Sequence, residues 1–168
     1  MKIREIKVED AESFEKLIIE VENQADFMLY GAEERNLATE KQEVIEKSPN
    51  STIFVAEETS GMLVGYAFAI GSSAKRKKHC VYLVIGILEE YTGRGIGTKL
   101  FQALEEWAIN HNIFRLELPV VKQNEAGVGL YNKMGYEIEG TKRNSLIIDG
   151  NGFDEYYMAK VLSLLLND

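Results

Sequence analysis

Between residues 81 and 110 the chain passes from an apolar run, Val81-Tyr82-Leu83-Val84-Ile85-Gly86-Ile87-Leu88, through Tyr91-Thr92-Gly93-Arg94-Gly95-Ile96-Gly97-Thr98-Lys99, into an amphipathic stretch. No other segment constrains the fold as much. The run is apolar at odd and even positions alike, so both its faces are buried and it belongs in the middle of a sheet. Thr98–Asn110 carries Leu100, Phe101, Leu104, Trp107 and Ala108 at helical spacing. Strand, glycine-rich turn and helix therefore follow one another directly. At such a turn the first N–H groups of the helix lack intrahelical partners. With the positive end of the helix dipole they suit a phosphate or pyrophosphate. Three glycines in five residues, at 93, 95 and 97, exceed what a tight turn alone needs.

The spacing excludes the two common nucleotide loops. A Walker loop ends Gly-Lys-Ser/Thr, whereas here Gly97 is followed by Thr98 and then Lys99. A dinucleotide fingerprint needs Gly-x-Gly-x-x-Gly after a first strand; this loop reads Gly-x-Gly-x-Gly and lies past the midpoint of the chain.

Residues 2–7 alternate like a first strand, and Ala11–Asn23 places Phe14, Leu17, Ile18 and Val21 on one helical face after Asp10. Thr39–Lys47 reads as a second helix opened by a capping-box pattern, ending at Ser48-Pro49-Asn50. Thr52–Glu57 and Leu63–Ile70 are strands around a turn at Glu58-Thr59-Ser60-Gly61. Lys75–His79 is a basic loop, and Phe114–Val121 is the strand after the central helix. Asn124–Met134 is a helix stopped by Gly135, and Tyr136–Glu139, Ser145–Ile148 and Glu155–Val161 are closing strands. The 168 residues are expected to form one domain, 1–168.

Composition narrows the function. A net charge of −8 argues against nucleic acid as a partner and accords with solubility alone or with a cationic or amine substrate. Cys80 is the one cysteine, so no intrachain disulfide forms, as fits a reducing cytoplasm. The N-terminus alternates like a strand rather than a leader, and no apolar run reaches the ~18 residues that span a bilayer. A cytoplasmic chain without a membrane partner is expected. No metal-ligand spacing and no Ser/His/Asp set appears.

A second segment bears on the loop: Asn124-Glu125-Ala126-Gly127-Val128-Gly129-Leu130-Tyr131-Asn132-Lys133-Met134-Gly135-Tyr136. Together the two closely resemble the GNAT N-acetyltransferase family, which carries Gln/Arg-x-x-Gly-x-Gly/Ala at its pyrophosphate loop. Further on, that family carries Asn-x-x-Ala and Leu-Tyr-x-Lys-x-Gly-Phe/Tyr. The resemblance covers roughly residues 50–160. It implies an α/β (α+β) fold, a GNAT-like mixed central sheet of about seven strands flanked by helices, with a splayed pair of parallel strands in the middle. It also implies acetyl-coenzyme A as cosubstrate, an amine-bearing acceptor and, as often for such sheets, a homodimer.

On this resemblance Ile85 and Ile87 offer backbone groups to the pantetheine arm. Thr92, Gly93, Arg94, Gly95, Ile96, Gly97 and Thr98 form the pyrophosphate loop, and Asn124, Gly127, Tyr131 and Lys133 line the cofactor from the following helix. Thr92 departs from the family's Gln or Arg, and neighbouring Arg94 is the substitute source of charge. Gly127 stands at the usual alanine position, with Ala126 one residue early. Gly86, as a bulge or close approach, and Pro119, which lacks an N–H, both favour the splay.

Acetyl transfer to an amine needs a base, oxyanion donors and an acid for the leaving thiolate. Tyr131 is the candidate acid, since a phenol near 10 lies close to a thiol near 8.5. A backbone N–H near Ile85 is the oxyanion donor. Asn124 is expected to bond the cofactor arm, to cap its helix, or both. The base stays open among Glu117, Glu33, Glu34, His79 and a water chain. Residues 24–38 and 142–157, with Phe27, Tyr30, Glu33, Glu34 and Arg35, should flank the acceptor by analogy with the family. The rival reading is a non-catalytic acyl-coenzyme A binding or regulatory module, against which the Asn124–Tyr131 pair counts.

Overall fold

The computed structural model describes residues 1–27 and 49–162. The expected helix Thr39–Lys47 and residues Tyr30, Glu33, Glu34 and Arg35 lie outside the described residues.

Seven strands build one sheet: β1 (Lys2–Glu5), β2 (Thr52–Glu57), β3 (Leu63–Gly71), β4 (Cys80–Ile87), β5 (Arg115–Val121), β6 (Glu137–Ile148) and β7 (Asn151–Val161). Their order is β1-β2-β3-β4-β5-β7-β6. Neighbours are antiparallel except β4 and β5, which are parallel. Among the described residues the helices are α1 (Ala11–Gln24), α2 (Ile96–Asn110) and α3 (Glu125–Lys133). The expected mixed seven-stranded sheet with flanking helices is the one found.

Strand β3 shows how the layers arise. It is buried from Leu63 to Ala69, because alternate residues face different helices. Tyr66 and Phe68 meet Phe14 of α1, at ring-centroid separations of 5.7 and 5.6 Å. Gly65, on the other face, approaches Ile96 of α2 and Ile87 of β4. Helices α1 and α2 thus cover opposite faces, and the sheet between them is core on both sides.

Three differences from the sequence reading bear on the site. The central helix starts at Ile96 rather than Thr98, since Gly95, left-handed at φ 77°, is its N-cap and Gly97 already lies in the first turn. The segments Tyr136–Glu139 and Ser145–Ile148 belong to one strand, β6, whose register shifts twice against β7. Finally β7 begins at Asn151, four residues before the expected Glu155. Asp149 and Gly150 both have positive φ, 49° and 77°, the signature of a two-residue hairpin turn, so pairing resumes at once with Ile148 opposite Asn151. The stop after α3 is as expected: Gly135 has φ 89°, and Tyr136 N–H donates to the Tyr131 carbonyl at 2.9 Å, a Schellman closure.

The parallel pair parts in mid-sheet. Strands β4 and β5 are matched at Cys80–Arg115, Val81–Leu116 and Tyr82–Glu117 and no further, although β4 continues to Ile87 and β5 to Val121. Arg115 N–H donates to the His79 carbonyl at 3.0 Å. Strand alternation then turns the backbone groups of residues 117 and 119 toward β4, and those of 83, 85 and 87 toward β5. The next rung would run from residue 119 to the Leu83 carbonyl, and residue 119 is proline. Pro119 keeps its place against β7, opposite Tyr157. It therefore lies where the strands have parted, as expected, and also removes the donor that would have joined them.

Gly86 has a different job from the one foreseen. The β3–β4 register runs without a shift from Gly65–Ile87 to Gly71–Val81, so there is no bulge. A Cβ on Gly86 would lie 2.5 Å from Cζ of Tyr66, the residue directly opposite. Glycine is needed there to admit that ring, and the close approach is by a side chain rather than a backbone.

Candidate functional site

Two cavities meet where β4 and β5 separate. The first, of ≈ 590 Å³, is walled by Ile85 and Ile87 of β4, the loop after β4, the start of α2, and α3. Of the positions singled out in the sequence, Ile85, Ile87, Thr92, Gly93, Gly95, Ile96, Gly97, Thr98, Asn124, Gly127, Tyr131 and Lys133 all line it. The end of α1 closes the wall with Val21, Gln24 and Ala25, a contribution the sequence reading missed. Gln24 Oε1 accepts from the Glu89 N–H at 2.8 Å, a bond across 65 residues that no local pattern announces.

The three loop glycines do different things. Gly93 and Gly95 adopt φ 72° and 77°, which turn the chain from β4 into α2. Gly97 has no such angle; a Cβ on it would lie 2.8 Å from Leu130 Cδ2, so it lets α3 lie close against the first turn of α2. By helix geometry the N–H groups of Ile96, Gly97 and Thr98 have no partner four residues back. The first α-type bond in this turn joins Lys99 N–H to the Gly95 carbonyl at 3.2 Å.

Arg94 is the sequence-selected position absent from the cavity wall. Its Nη2 donates to the Glu90 carbonyl at 2.7 Å and its guanidinium sits 4.8 Å from the Tyr91 ring centroid. Thr92 reaches the wall, but its hydroxyl donates back to the Glu89 carbonyl at 2.7 Å, closing the 3-10 turn Glu89–Tyr91. The cation that does line the cavity is Lys133, in the last turn of α3.

Asn124 caps α3: its Oδ1 accepts from Gly127 N–H at 3.0 Å. The fold of that side chain over the first turn explains glycine at 127, because a Cβ there would stand 2.7 Å from Asn124 Nδ2. The cap occupies Oδ1, and Asn124 itself lines both cavities.

Tyr131 is 8% exposed, packed edge-on against Phe101 of α2 at 5.5 Å. Burial, with the nearby Tyr82 phenol, pushes its hydroxyl well above the ordinary tyrosine value of 10. It is held protonated throughout the neutral range, and it is a weaker acid than an exposed phenol.

The second cavity, of ≈ 470 Å³, opens on the α1 face. Phe27, Phe68, Tyr82, Val84, Pro119 and Leu146 give it an apolar and aromatic wall, and Lys142, Ser145 and Glu155 are polar. Members of both expected flanking segments, Phe27 from one and Lys142, Ser145, Leu146 and Glu155 from the other, thus come together here. The two cavities share Ile85, Asn124 and Tyr131.

Two of the candidate bases are turned away. Glu117 lies at the still-paired end of β4–β5, bonded to Arg115 Nε at 2.9 Å, and lines neither cavity. His79 stacks on Phe114 at 4.5 Å, at the opposite end of β4. The carboxylate that does line the second cavity is Glu155, which the sequence reading did not weigh as a base.

These features define a class of mixed-sheet proteins in which one parallel pair parts beside a glycine-turned helix start. The family profile described as Acetyltransferase (GNAT) family matches residues 16–136, and the chain belongs to that family. It is 30% identical over 102 residues to the L-amino acid N-acetyltransferase AaaT of Escherichia coli (strain K12), covering 60% of this chain and 63% of that protein, so it spans less than two thirds of that relative. The crystal structure of a GNAT-family acetyltransferase from Streptococcus pneumoniae superposes with a TM-score of 0.89 at 28% identity, covering 96% of this chain and 99% of that one. The phosphinothricin acetyltransferase of Sinorhizobium meliloti, solved in complex with AcCoA, shares the fold at 18% identity, with a TM-score of 0.87 over 99% of this chain and 91% of that one. Among the described residues no helix is long and apolar enough to cross a membrane.

Proposed function

We propose that the protein is an N-acetyltransferase that moves the acetyl group of acetyl-coenzyme A to a primary amine, such as that of an amino acid, a polyamine or a protein N-terminus, by direct attack. The observation that carries this is the junction: two cavities open on one point, and the residues they share include a buried, protonated tyrosine. Cosubstrate enters by the first cavity and amine by the second. The reading takes residues 1–168 as one such domain in a reducing, cytoplasmic setting, in keeping with the single, buried Cys80.

The residues of the first cavity suit the cosubstrate. The N–H groups of the loop and of the first α2 turn, with Lys133, take the pyrophosphate. The backbone of Ile85 and Ile87, turned toward the missing rung, takes the amides of the pantetheine arm. The amine nitrogen bonds to the thioester carbon while its own proton leaves to a base or water. Charge gathers on the carbonyl oxygen, which the Ile85 N–H stabilises. The C–S bond then breaks, and the departing sulfur takes its proton from the Tyr131 hydroxyl.

Thiol release from acetyl-coenzyme A tests this with a panel of amines headed by L-amino acids, the acceptor class in the name of the Escherichia coli relative. Thiol is expected only when an acceptor amine is present. Tyr131→Phe should lower kcat about 100-fold or more while acetyl-coenzyme A affinity stays within a few-fold. Saturable cosubstrate binding with no thiol from any amine would identify a binding module instead. Unchanged turnover in Tyr131→Phe would remove the tyrosine from the reaction.

A further inference from the structure

The second cavity holds a charged side chain that the transfer steps leave unused. Glu155 is 8% exposed, lines the cavity, and lies opposite Val121 of β5 and Lys142 of β6. Its Oε1 accepts a hydrogen bond from the Ser145 hydroxyl. Among the described residues no cation pairs with it. Lys142, its cross-strand neighbour, carries its Nζ over the Tyr157 ring, 5.9 Å from the centroid, and Lys122 pairs with Asp154 at 3.7 Å. Buried charged groups are as a rule paired or hydrogen-bonded, and here one hydroxyl leaves room for an opposite charge. Lys142 lines the cavity too, but with its Nζ over Tyr157, and the rest of the wall suits a cation arriving from outside the chain. Phe27, Phe68 and Tyr82 present aromatic rings, whose faces attract cations, and Val84, Pro119 and Leu146 complete an apolar lining. The Tyr82 phenol lies close enough to Glu155 for the carboxylate to push its hydroxyl up, burial being the larger cause.

We infer that Glu155 seats the acceptor's ammonium group, and that the acceptor is a cationic amine borne on an apolar or aromatic body. This deepens the acetyltransferase reading and rests on it for the identity of the occupant. Glu155 stands in the cavity that opens on Tyr131, so an amine anchored there is on the acceptor side of the junction.

Benzyltrimethylammonium tests the seat directly, because it carries charge and an aromatic body but no hydrogen on nitrogen and so cannot be acetylated. Calorimetric titration of the full chain should show saturable binding, with Glu155→Gln weakening it at least tenfold. Benzyl alcohol, the neutral control, should bind both proteins alike. Equal affinity of the cation for the two proteins overturns the inference, as does wild-type protein holding benzyl alcohol as tightly as the cation. The second comparison needs no variant and decides the matter if Glu155→Gln does not fold. The measurement is independent of turnover. Glu155-dependent cation binding without thiol release from any amine would refute the transfer reading alone; amine acetylation with an indifferent Glu155→Gln would refute the seat alone.

Discussion

Replacing Gly86 by alanine tests the claim that this glycine serves the Tyr66 ring. The new Cβ would stand 2.5 Å from Tyr66 Cζ, 2.6 Å from its Oη and 2.7 Å from Cε1. Carbon contacts are comfortable at about 3.5–4.0 Å, so the ring edge must retreat by roughly 1 Å. It has nowhere to go cheaply: Tyr66 is fully buried, with Phe14 and Phe68 edge-on at 5.7 and 5.6 Å. Overpacking of this kind costs about 1–3 kcal/mol. At roughly 2–4 °C per kcal/mol for a chain of this size, a cost near 2 kcal/mol lowers Tm by about 4–8 °C. Thermal unfolding followed by circular dichroism measures it. A second background isolates the cause. In Tyr66→Leu the atoms met by the Cβ are gone, so the alanine should add little, giving a coupling of about 1–2 kcal/mol in the double-mutant cycle. A Gly86→Ala protein that melts within a degree of wild type, or an equal loss in the leucine background, would refute the reasoning.

Asn124→Ala removes the Oδ1 that caps α3 and should cost about 1 kcal/mol, read as a fall of a few degrees in Tm. Gly127→Ala should destabilise the wild type but be tolerated beside Asn124→Ala, since the atoms its Cβ would meet are those of Asn124. Asp10 accepts from Arg4 at 2.7 Å, and that bond holds its carboxyl below the ordinary 3.8. A depressed value means stability present above 3.8 and lost as pH falls through the folded value. The Tm gap between wild type and Asp10→Asn should therefore be full at neutral pH and shrink as the pH is taken progressively below 3.8, and a gap that never shrinks would contradict the assignment. Pro119→Ala restores an N–H facing the Leu83 carbonyl, and amide exchange at residue 119 should be slowed. Free exchange at that site would show that something other than the proline ends the ladder. Stability should change by less than about 1 kcal/mol, because the regained bond is offset by the lost proline constraint.

What the sequence disclosed follows from the range of the physical signal. The β4–loop–α2 unit is legible because each part carries its own local pattern: a two-faced apolar run, turn glycines and a helical stripe. The cap at Asn124 and the stop at Gly135 are equally local. The role of Gly97 is not, since its reason is Leu130 on another helix. Nor is that of Gly86, whose reason is the ring of Tyr66 on the neighbouring strand. Glu155 opens the expected strand Glu155–Val161, where a terminal carboxylate looks exposed; the Asp149–Gly150 turn, by starting β7 at Asn151, puts Glu155 mid-strand opposite Val121 and Lys142. A local pattern shows the place of Glu117 on β5, but not its ion pairs with Arg115 and, more distantly, Lys77, nor that it lines neither cavity.

The proline in β5 has a kinetic meaning as well as a geometric one. A gap between two strands could be made in passing, by breaking hydrogen bonds each time a ligand arrives, and its opening would then delay association. Here the bond after Tyr82–Glu117 cannot form at all, so the recess is ready before anything enters it. An extended chain of amides laid along Ile85 and Ile87 would behave as a temporary eighth strand, recruited by edge groups that have no competing partner. The sheet is in that sense left unfinished by its own sequence, and preorganised for completion from outside.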